Sequence, residues 1–286
     1  MGVPMAEHLK TAGYGVQSYD KRGGGTHASP RHAAEGADVL LTMLPDGNIV
    51  RDVVLDALPA LKHGALVIDM SSSDPLGTQA LGAALAANAI GMVDAPVSGA
   101  VRGARDASLA IMCGGSASDF NRAKPVLQKL GRDIFHVGPL GAGHAVKALN
   151  NYLGAAGTLA GFEALLLAQK LGLDPKPVLD AINASTGRNW TTERKIPQQV
   201  LTGAFGSGFK LALMTKDVAI AATLAKELGV DAPYLRETLK HWRAAAKAMP
   251  RDADHTEIYK YQSKRSRIKN RIKTGGGKAP DPPRRR

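Results

Sequence analysis

Gly138-Pro139-Leu140-Gly141-Ala142-Gly143-His144-Ala145-Val146-Lys147-Ala148-Leu149-Asn150-Asn151 divides the chain into two kinds of sequence. Ahead of it, short apolar runs alternate with helical stretches, the pattern of a parallel sheet covered by helices on both faces. The predicted strands are 16–19, 39–43, 66–70, 92–97, 108–112 and 134–137. Behind it the pattern is helical. Residues 142–171 contain no proline and are apolar on most faces, through Val146, Leu149, Leu153, Leu159, Leu165 and Leu166, which predicts one long and largely buried helix. Further helices are predicted over 175–184, in a stretch after Asn189, and over 213–228 and 232–248. The expected organisation is therefore an α/β domain over 1–137, an all-α domain over 138–262 that opens with a long interdomain helix, and a tail over 263–286.

Composition narrows the function classes. With 286 residues, 44% hydrophobic and 22% charged, the chain has apolar material for one or two cores and is not disordered throughout. Its single cysteine, Cys113, cannot form an internal disulfide, and no apolar run reaches the roughly 18 to 20 residues of a membrane helix. The start, Met1-Gly2-Val3-Pro4-Met5-Ala6, lacks a charged stretch followed by an apolar one, so a reducing cytoplasm and no membrane partner are expected. The net charge of +12 raises the question of nucleic acid. Ten lysines and arginines against the single acid Asp281 lie between Ser263 and Arg286, so the basic character belongs to the tail. That tail has too few apolar residues to order itself and no aromatic residue for base stacking; disorder is expected, with no specific nucleic-acid partner.

Ligands of open α/β sheets sit outside the carboxyl ends of the strands, so chemistry is sought there. Leu41-Thr42-Met43-Leu44-Pro45-Asp46 is a buried strand stopped by proline, readable as an ordinary terminus. Val67-Ile68-Asp69-Met70-Ser71-Ser72-Ser73-Asp74-Pro75 places hydroxyls where they cap the next helix or touch a ligand. Asp94-Ala95-Pro96-Val97-Ser98-Gly99-Ala100 ends in a Ser-Gly pair whose hydroxyl and backbone N–H groups suit a carboxylate, although a bare turn is the alternative. Within residues 138–151, Lys147 and Asn151 are i and i+4 on one helix face, with Asn150 one position round. A lysine and two amides on an otherwise apolar helix are poorly explained as a solvated stripe.

These segments, with Ser185-Thr186-Gly187-Arg188-Asn189-Trp190 and Phe209-Lys210-Leu211-Ala212-Leu213-Met214-Thr215-Lys216-Asp217, resemble the β-hydroxyacid dehydrogenases, which include 3-hydroxyisobutyrate, tartronate semialdehyde and L-threonate dehydrogenases. The resemblance runs from Met1 to about Tyr261. It implies a Rossmann-type, doubly wound parallel sheet followed by an all-α domain, and hydride transfer between NAD or NADP and a small 3-hydroxy acid or its semialdehyde. Lys147 would act in proton transfer and Asn151 would hold the same oxygen. Ser98 and Gly99 would bind the substrate carboxylate, and Phe209 would wall the pocket. Lys216, brought in from the helical domain, would close over cofactor and substrate; without the resemblance, Lys216-Asp217 reads as an exposed helix pair. Arg188 and Asn189 either add polar contacts or serve the loop between helices. The implied partners are a small carboxylated substrate and further copies of the chain, associating through the helical domain. No metal ligands are assigned.

The cofactor half departs from the family pattern. A dinucleotide fold needs a first strand and a G-x-G-x-x-G turn, whereas Met1-Gly2-Val3-Pro4-Met5-Ala6 resembles only the end of that turn. Met1 and Gly2 would meet the pyrophosphate, and Leu44, Pro45, Ser72 and Lys216 the rest of the cofactor. The absent strand predicts weak NAD(P)H binding and keeps open a second reading, a catalytically silent, truncated remnant or binding scaffold of the same fold. After Asp20-Lys21-Arg22 only Gly23-Gly24-Gly25-Thr26-His27 precedes the next buried strand. Asp20 suits the ribose hydroxyls of NAD, while Lys21 and Arg22 suit the 2′-phosphate of NADP; NAD is slightly favoured.

Overall fold

The structure, a computed structural model, describes residues 1–268, and the expected tail from 269 onward lies outside the described residues. Two compact units make up the chain. The first comprises Met1–Tyr152 with Lys216–Arg236, and the second Leu153–Thr215 with the residues from Glu237 onward. The division thus falls inside the long helix α7 (Ala142–Lys170) and not at residue 137.

The first unit opens with α1 (Gly2–Thr11) and continues through α2 (Pro30–Ala34). Between them the apolar run 16–19 is not a strand. Its polar groups are satisfied locally instead: Ser18 O accepts the N–H groups of Thr26 and His27, and Ser18 N donates to Thr26 Oγ1 at 2.9 Å. Backbone groups already paired in a loop leave nothing for a ladder.

Strands β1 (Val39–Thr42), β2 (Leu66–Asp69) and β3 (Gly91–Asp94) are parallel, with Thr42, Asp69 and Asp94 in register at their carboxyl ends. The expected run 92–97 is broken at Pro96 and resumes as β4 (Val97–Ser98), since proline has no N–H for a ladder. Strand β5 (Leu109–Gly114) runs antiparallel to β3 and β4 and parallel to β6 (Gly131–Gly138). The sheet is therefore mixed, not parallel throughout. Its two faces carry separate cores, as period-2 alternation requires. Ile68, Met70, Val93 and Ile111 pack with Met5 and Leu127, whereas Val67 and Met92 pack with Val50, Val54, Leu81 and Leu85 of α3 (Gly47–Ala57) and α4 (Pro75–Ala86). Both helices start on aspartate caps, Asp46 and Asp74.

Around α5 (Ala100–Arg105), Ala100 and Ala107 hold φ of +52° and +47°. A Cβ in this region costs roughly 1–2 kcal/mol, part of which a glycine returns through unfolded-state entropy. Ala100→Gly and Ala107→Gly are each expected to stabilise the first unit by about 0.5–1 kcal/mol, read as a higher urea midpoint.

The second unit contains the rest of α7, α8 (Pro175–Asn183), a π-helical segment at Thr191–Val200, parts of α9 (Leu211–Glu227) and α10 (Pro233–Ala248), and α11 (Ile258–Arg265). Phe162, Trp242 and Tyr259 are fully buried in it; Phe162 meets Tyr259 edge-on, and Trp242 Nε1 donates to Ala155 O at 3.3 Å. Ser263 is buried within α11, so the expected tail does not begin there: Tyr259, Gln262 and Ser263 share one inward helix face. Lys195 is buried with its ammonium on Thr158 Oγ1 at 2.7 Å, and burial pushes its pKa from 10.5 down to about 8. A lysine with a lowered folded pKa binds fewer protons folded than unfolded, so stability should rise with pH between about 8 and 10.5. Lys195→Met is expected to flatten that rise in a pH series of thermal melts.

Candidate active site

Helix α7 starts beside the carboxyl ends of β3 and β5, and Lys147 and Asn151 follow on its inward face, 9% and 6% exposed. Lys147 Nζ donates to Ser98 Oγ at 3.0 Å. Ser98 ends β4, and Gly99 follows at φ +129°, a conformation open to glycine, with its N–H next to the serine hydroxyl in the chain. Asn151 Nδ2 donates to Asp217 Oδ2 at 2.6 Å, and Asn151 Oδ1 accepts from Asn150 Nδ2 at 3.1 Å. Lys216 Nζ lies 3.1 Å from Asp217 Oδ1 and donates to Ser72 O at 2.5 Å. The structure thus joins Lys147 to Ser98 and links Asn151, Asp217, Lys216 and Ser72 in one chain of contacts.

Lys216 belongs to the first unit, not to the helical one from which it was expected to reach. Nor is Lys216-Asp217 an exposed helix pair: the Asp217 side chain is 3% exposed and that of Lys216 26%. In sequence alone Asp217 shows no role, because a Lys-Asp dipeptide carries no sign of burial. Here the carboxylate accepts one N–H of the Asn151 amide and so orients it.

Burial pushes the Lys147 pKa down, the Asp217 carboxylate pulls it up, and the Lys216 ammonium pushes it down. Each neighbour has a signed consequence. Asp217→Asn should move the lysine limb of a pH–rate profile to lower pH, and Lys216→Met to higher pH.

A cavity of about 250 Å³ opens at the carboxyl ends of β1 and β2, lined by Asp46, Asn48, Ser72, Ser73 and Lys216 among others. Leu44 and Pro45 lead into it from β1, and Leu44 N donates to Ser71 Oγ at 2.9 Å. Helix α1 carries no side-chain cap at Met1, and open space surrounds the Cβ position of Gly2, so its first N–H groups are available to an anion. Asp20 lies in the loop before α2, where its carboxylate accepts from Arg22 N at 2.9 Å and is held below the usual carboxylate range by that bond. These groups fit a dinucleotide: N–H donors for a pyrophosphate, a carboxylate for ribose hydroxyls, and a cavity whose lining mixes polar side chains with Val50, Leu81 and Ile220.

The remaining expected residues lie in the second unit. Phe209 packs edge-on to His255, and its carbonyl accepts from His255 N at 2.9 Å. Asn189 serves the loop, its Oδ1 accepting from Thr191 N at 2.9 Å, and Arg188 faces Glu193 at 3.7 Å. Three further polar residues, fully buried beneath the site, were quoted in the sequence without a role: Asp69, Asp94 and His144. For Asp69 and Asp94 the signal is a charged residue ending an apolar strand, which must find donors on folding.

Two family models match the chain. The NAD binding domain of 6-phosphogluconate dehydrogenase matches residues 1–138, and the NAD-binding domain of NADP-dependent 3-hydroxyisobutyrate dehydrogenase matches residues 141–262. The chain is 36% identical to 2-(hydroxymethyl)glutarate dehydrogenase of Eubacterium barkeri, covering 82% of each chain. It is 35% identical to 3-hydroxyisobutyrate dehydrogenase of Pseudomonas aeruginosa, over 91% of this chain and 94% of that one. Among solved structures, the 3-hydroxyisobutyrate dehydrogenase of Mycobacterium tuberculosis with L-serine superposes with a TM-score of 0.86 at 33% identity, over 92% of this chain and 95% of that one. Agreement of this extent in sequence and in backbone comes from common descent, and the chain belongs to the β-hydroxyacid dehydrogenase family of NAD(P)-dependent oxidoreductases.

Proposed function

We propose that this chain interconverts a small 3-hydroxy acid and its semialdehyde, with Lys147 as the proton-transfer group. The observation that carries the reading is a buried lysine of lowered pKa whose ammonium rests on the hydroxyl of a Ser-Gly turn. A bound nicotinamide would supply the hydride acceptor or donor of the reaction. Lys147 takes the hydroxyl proton in oxidation and returns it in reduction; Asn151, oriented by Asp217, donates to the same oxygen. Ser98 Oγ and the N–H groups around Gly99 receive the substrate carboxylate. Ser72 and Lys216, at the cavity, together with Leu44, Pro45, Met1, Gly2 and Asp20, would hold the cofactor, and Phe209 would wall the substrate pocket. NAD is favoured over NADP because the ionised Asp20 opposes a 2′-phosphate.

We further infer a cytoplasmic enzyme that associates with copies of itself through the helical unit, where Leu167, Leu171 and Trp190 are exposed. The single buried cysteine accords with a reducing compartment. Among the described residues, no helix is long and apolar enough to cross a membrane.

The test is reduced-cofactor absorbance with NAD or NADP and a panel of 3-hydroxyisobutyrate, glycerate, threonate and serine, each beside its methyl ester. Turnover of acids but not esters, with NAD giving the higher kcat/KM, is the expected result. Equal turnover of acids and esters would remove the carboxylate role of Ser98 and Gly99. Tight cofactor binding without turnover of any acid would favour the silent scaffold.

A further inference from the structure

Lys147 is the sixth residue of α7, yet the group that holds the start of α7 lies on another element. Gly141, immediately before the helix, has no side chain with which to cap it. The cap comes from β3: Asp94 Oδ1 accepts Gly141 N and Asp94 Oδ2 accepts His144 N, both at 2.7 Å. Asp94 is fully buried, and among the described residues its one ion-pair neighbour is the His144 ring, 3.7 Å away. A buried carboxylate needs donors of this strength, and the positive end of a helix supplies them.

The packing around Asp94 is built for this contact. A Cβ at Gly114 would collide with the Asp94 carboxylate and stand 2.8 Å from Gly143 N. A Cβ at Gly143 would collide with Met112 O and stand 2.8 Å from Asp94 Oδ2. Both positions are closed to any side chain, which lets the helix end press onto β3 and β5. Residue 144 is pinned a second time through its ring, because His144 Nδ1 lies 2.8 Å from Thr78 Oγ1. That hydroxyl also donates to Asp74 O at 2.9 Å.

Three residues beyond this pinned position, about 4.5 Å along the axis, stands Lys147. Its contact Ser98 lies four residues after Asp94 in the chain, on a strand that shares β5 with β3. One carboxylate therefore ties the element bearing the lysine to the segment bearing the serine. We propose that Asp94 is the positioning residue of this active site, setting the register of α7 so that Lys147 meets Ser98. The inference rests on Lys147 being the proton-transfer group.

Asp94→Asn tests it, since the isosteric amide can accept only once and turns an NH2 against the other backbone donor. A displacement near 1 Å in a reacting group costs about 10²-fold, so kcat should fall by that order while KM changes little. The lysine limb of the pH–rate profile should move, and Lys147 should be labelled faster by trinitrobenzenesulfonate, read by peptide mass without cofactor or substrate. A merely structural role would lower the melting temperature and leave limb, labelling and kcat per folded molecule in place, which overturns the proposal. Should Asp94→Asn fail to fold, amide exchange of the unmodified chain decides. Gly141 and His144 amides as slow as the core of α7 uphold the clamp, and fast exchange there overturns it. Lys147→Ala, assayed in parallel, separates the two ideas. If it stays fully active, the role of Lys147 is lost whatever Asp94 does; if it is inactive while Asp94→Asn keeps kcat, limb and labelling, only the positioning role is lost.

Discussion

Lys147→Ala is expected to lower kcat/KM by about 10²- to 10⁴-fold, the range for loss of a general acid or base, with the fold retained. Among the described residues Lys147 Nζ has one hydrogen-bond partner, Ser98 Oγ at 3.0 Å, so the ammonium keeps donors for a substrate oxygen. Its lowered pKa then fixes the sign of the pH dependence. Oxidation needs the free amine, so its rate should rise with pH through the lowered pKa and level off below 10.5, the ordinary value. Reduction needs the ammonium, and its rate should fall through the same pH. A panel of short 3-hydroxy acids assayed in both directions checks this. Wild-type turnover in Lys147→Ala, or a limb above 10.5, would remove the lysine from the mechanism. Folding should survive because alanine is a strong helix former and relieves a buried cation that has a single partner.

Asp69→Ala is expected to have the largest effect on stability, about 3–5 kcal/mol. The carboxylate at the end of β2 accepts from Thr42 Oγ1 at 2.8 Å, Ser71 N at 2.9 Å and Ser73 Oγ at 2.7 Å, all in buried surroundings. Removing it orphans three donors at once, and each buried unsatisfied group costs about 1–3 kcal/mol. In a chain of this size that corresponds to a fall of roughly 10 °C in the transition of the first unit. Asp69→Asn keeps one acceptor oxygen and should lose less than half as much, because the serine hydroxyl can rotate to accept from the new amide. Differential scanning calorimetry separates the two variants. Melting of Asp69→Ala within 2 °C of the unmodified chain would show that water replaces the carboxylate, which the burial of all four residues opposes.

Local pattern made part of the architecture readable. The alternation of apolar runs and helices up to residue 137 follows from strands buried on both faces, and Val67 and Ile68 indeed serve opposite cores. The spacing of Lys147 and Asn151 is a property of the helix itself, so their common face was legible without a tertiary structure. The run 16–19 has the composition of a strand, but pairing decides whether it is one, and its hydrogen bonds close on Thr26 and His27. The antiparallel return of β5 was hidden for a related reason: sequence shows a strand's faces and not its direction. Ser263, read as the start of a basic tail, lies in a helix because it shares an inward face with its neighbour Gln262 and with Tyr259 one turn earlier, information that charge counting discards.

By itself, the sequence determined the sheet-then-helix order, the long helix from Ala142 and the common helix face of Lys147 and Asn151, all of which depend on periodicity along the chain. Only the tertiary structure decided that Asp217 orients Asn151, that Lys216 joins the sheet unit at Ser72, and that Asp94 caps a helix 47 residues away. The reason is physical: a charged side chain looks the same in sequence whether water or protein satisfies it. Its cost of burial, and hence its partner, is set when distant segments meet.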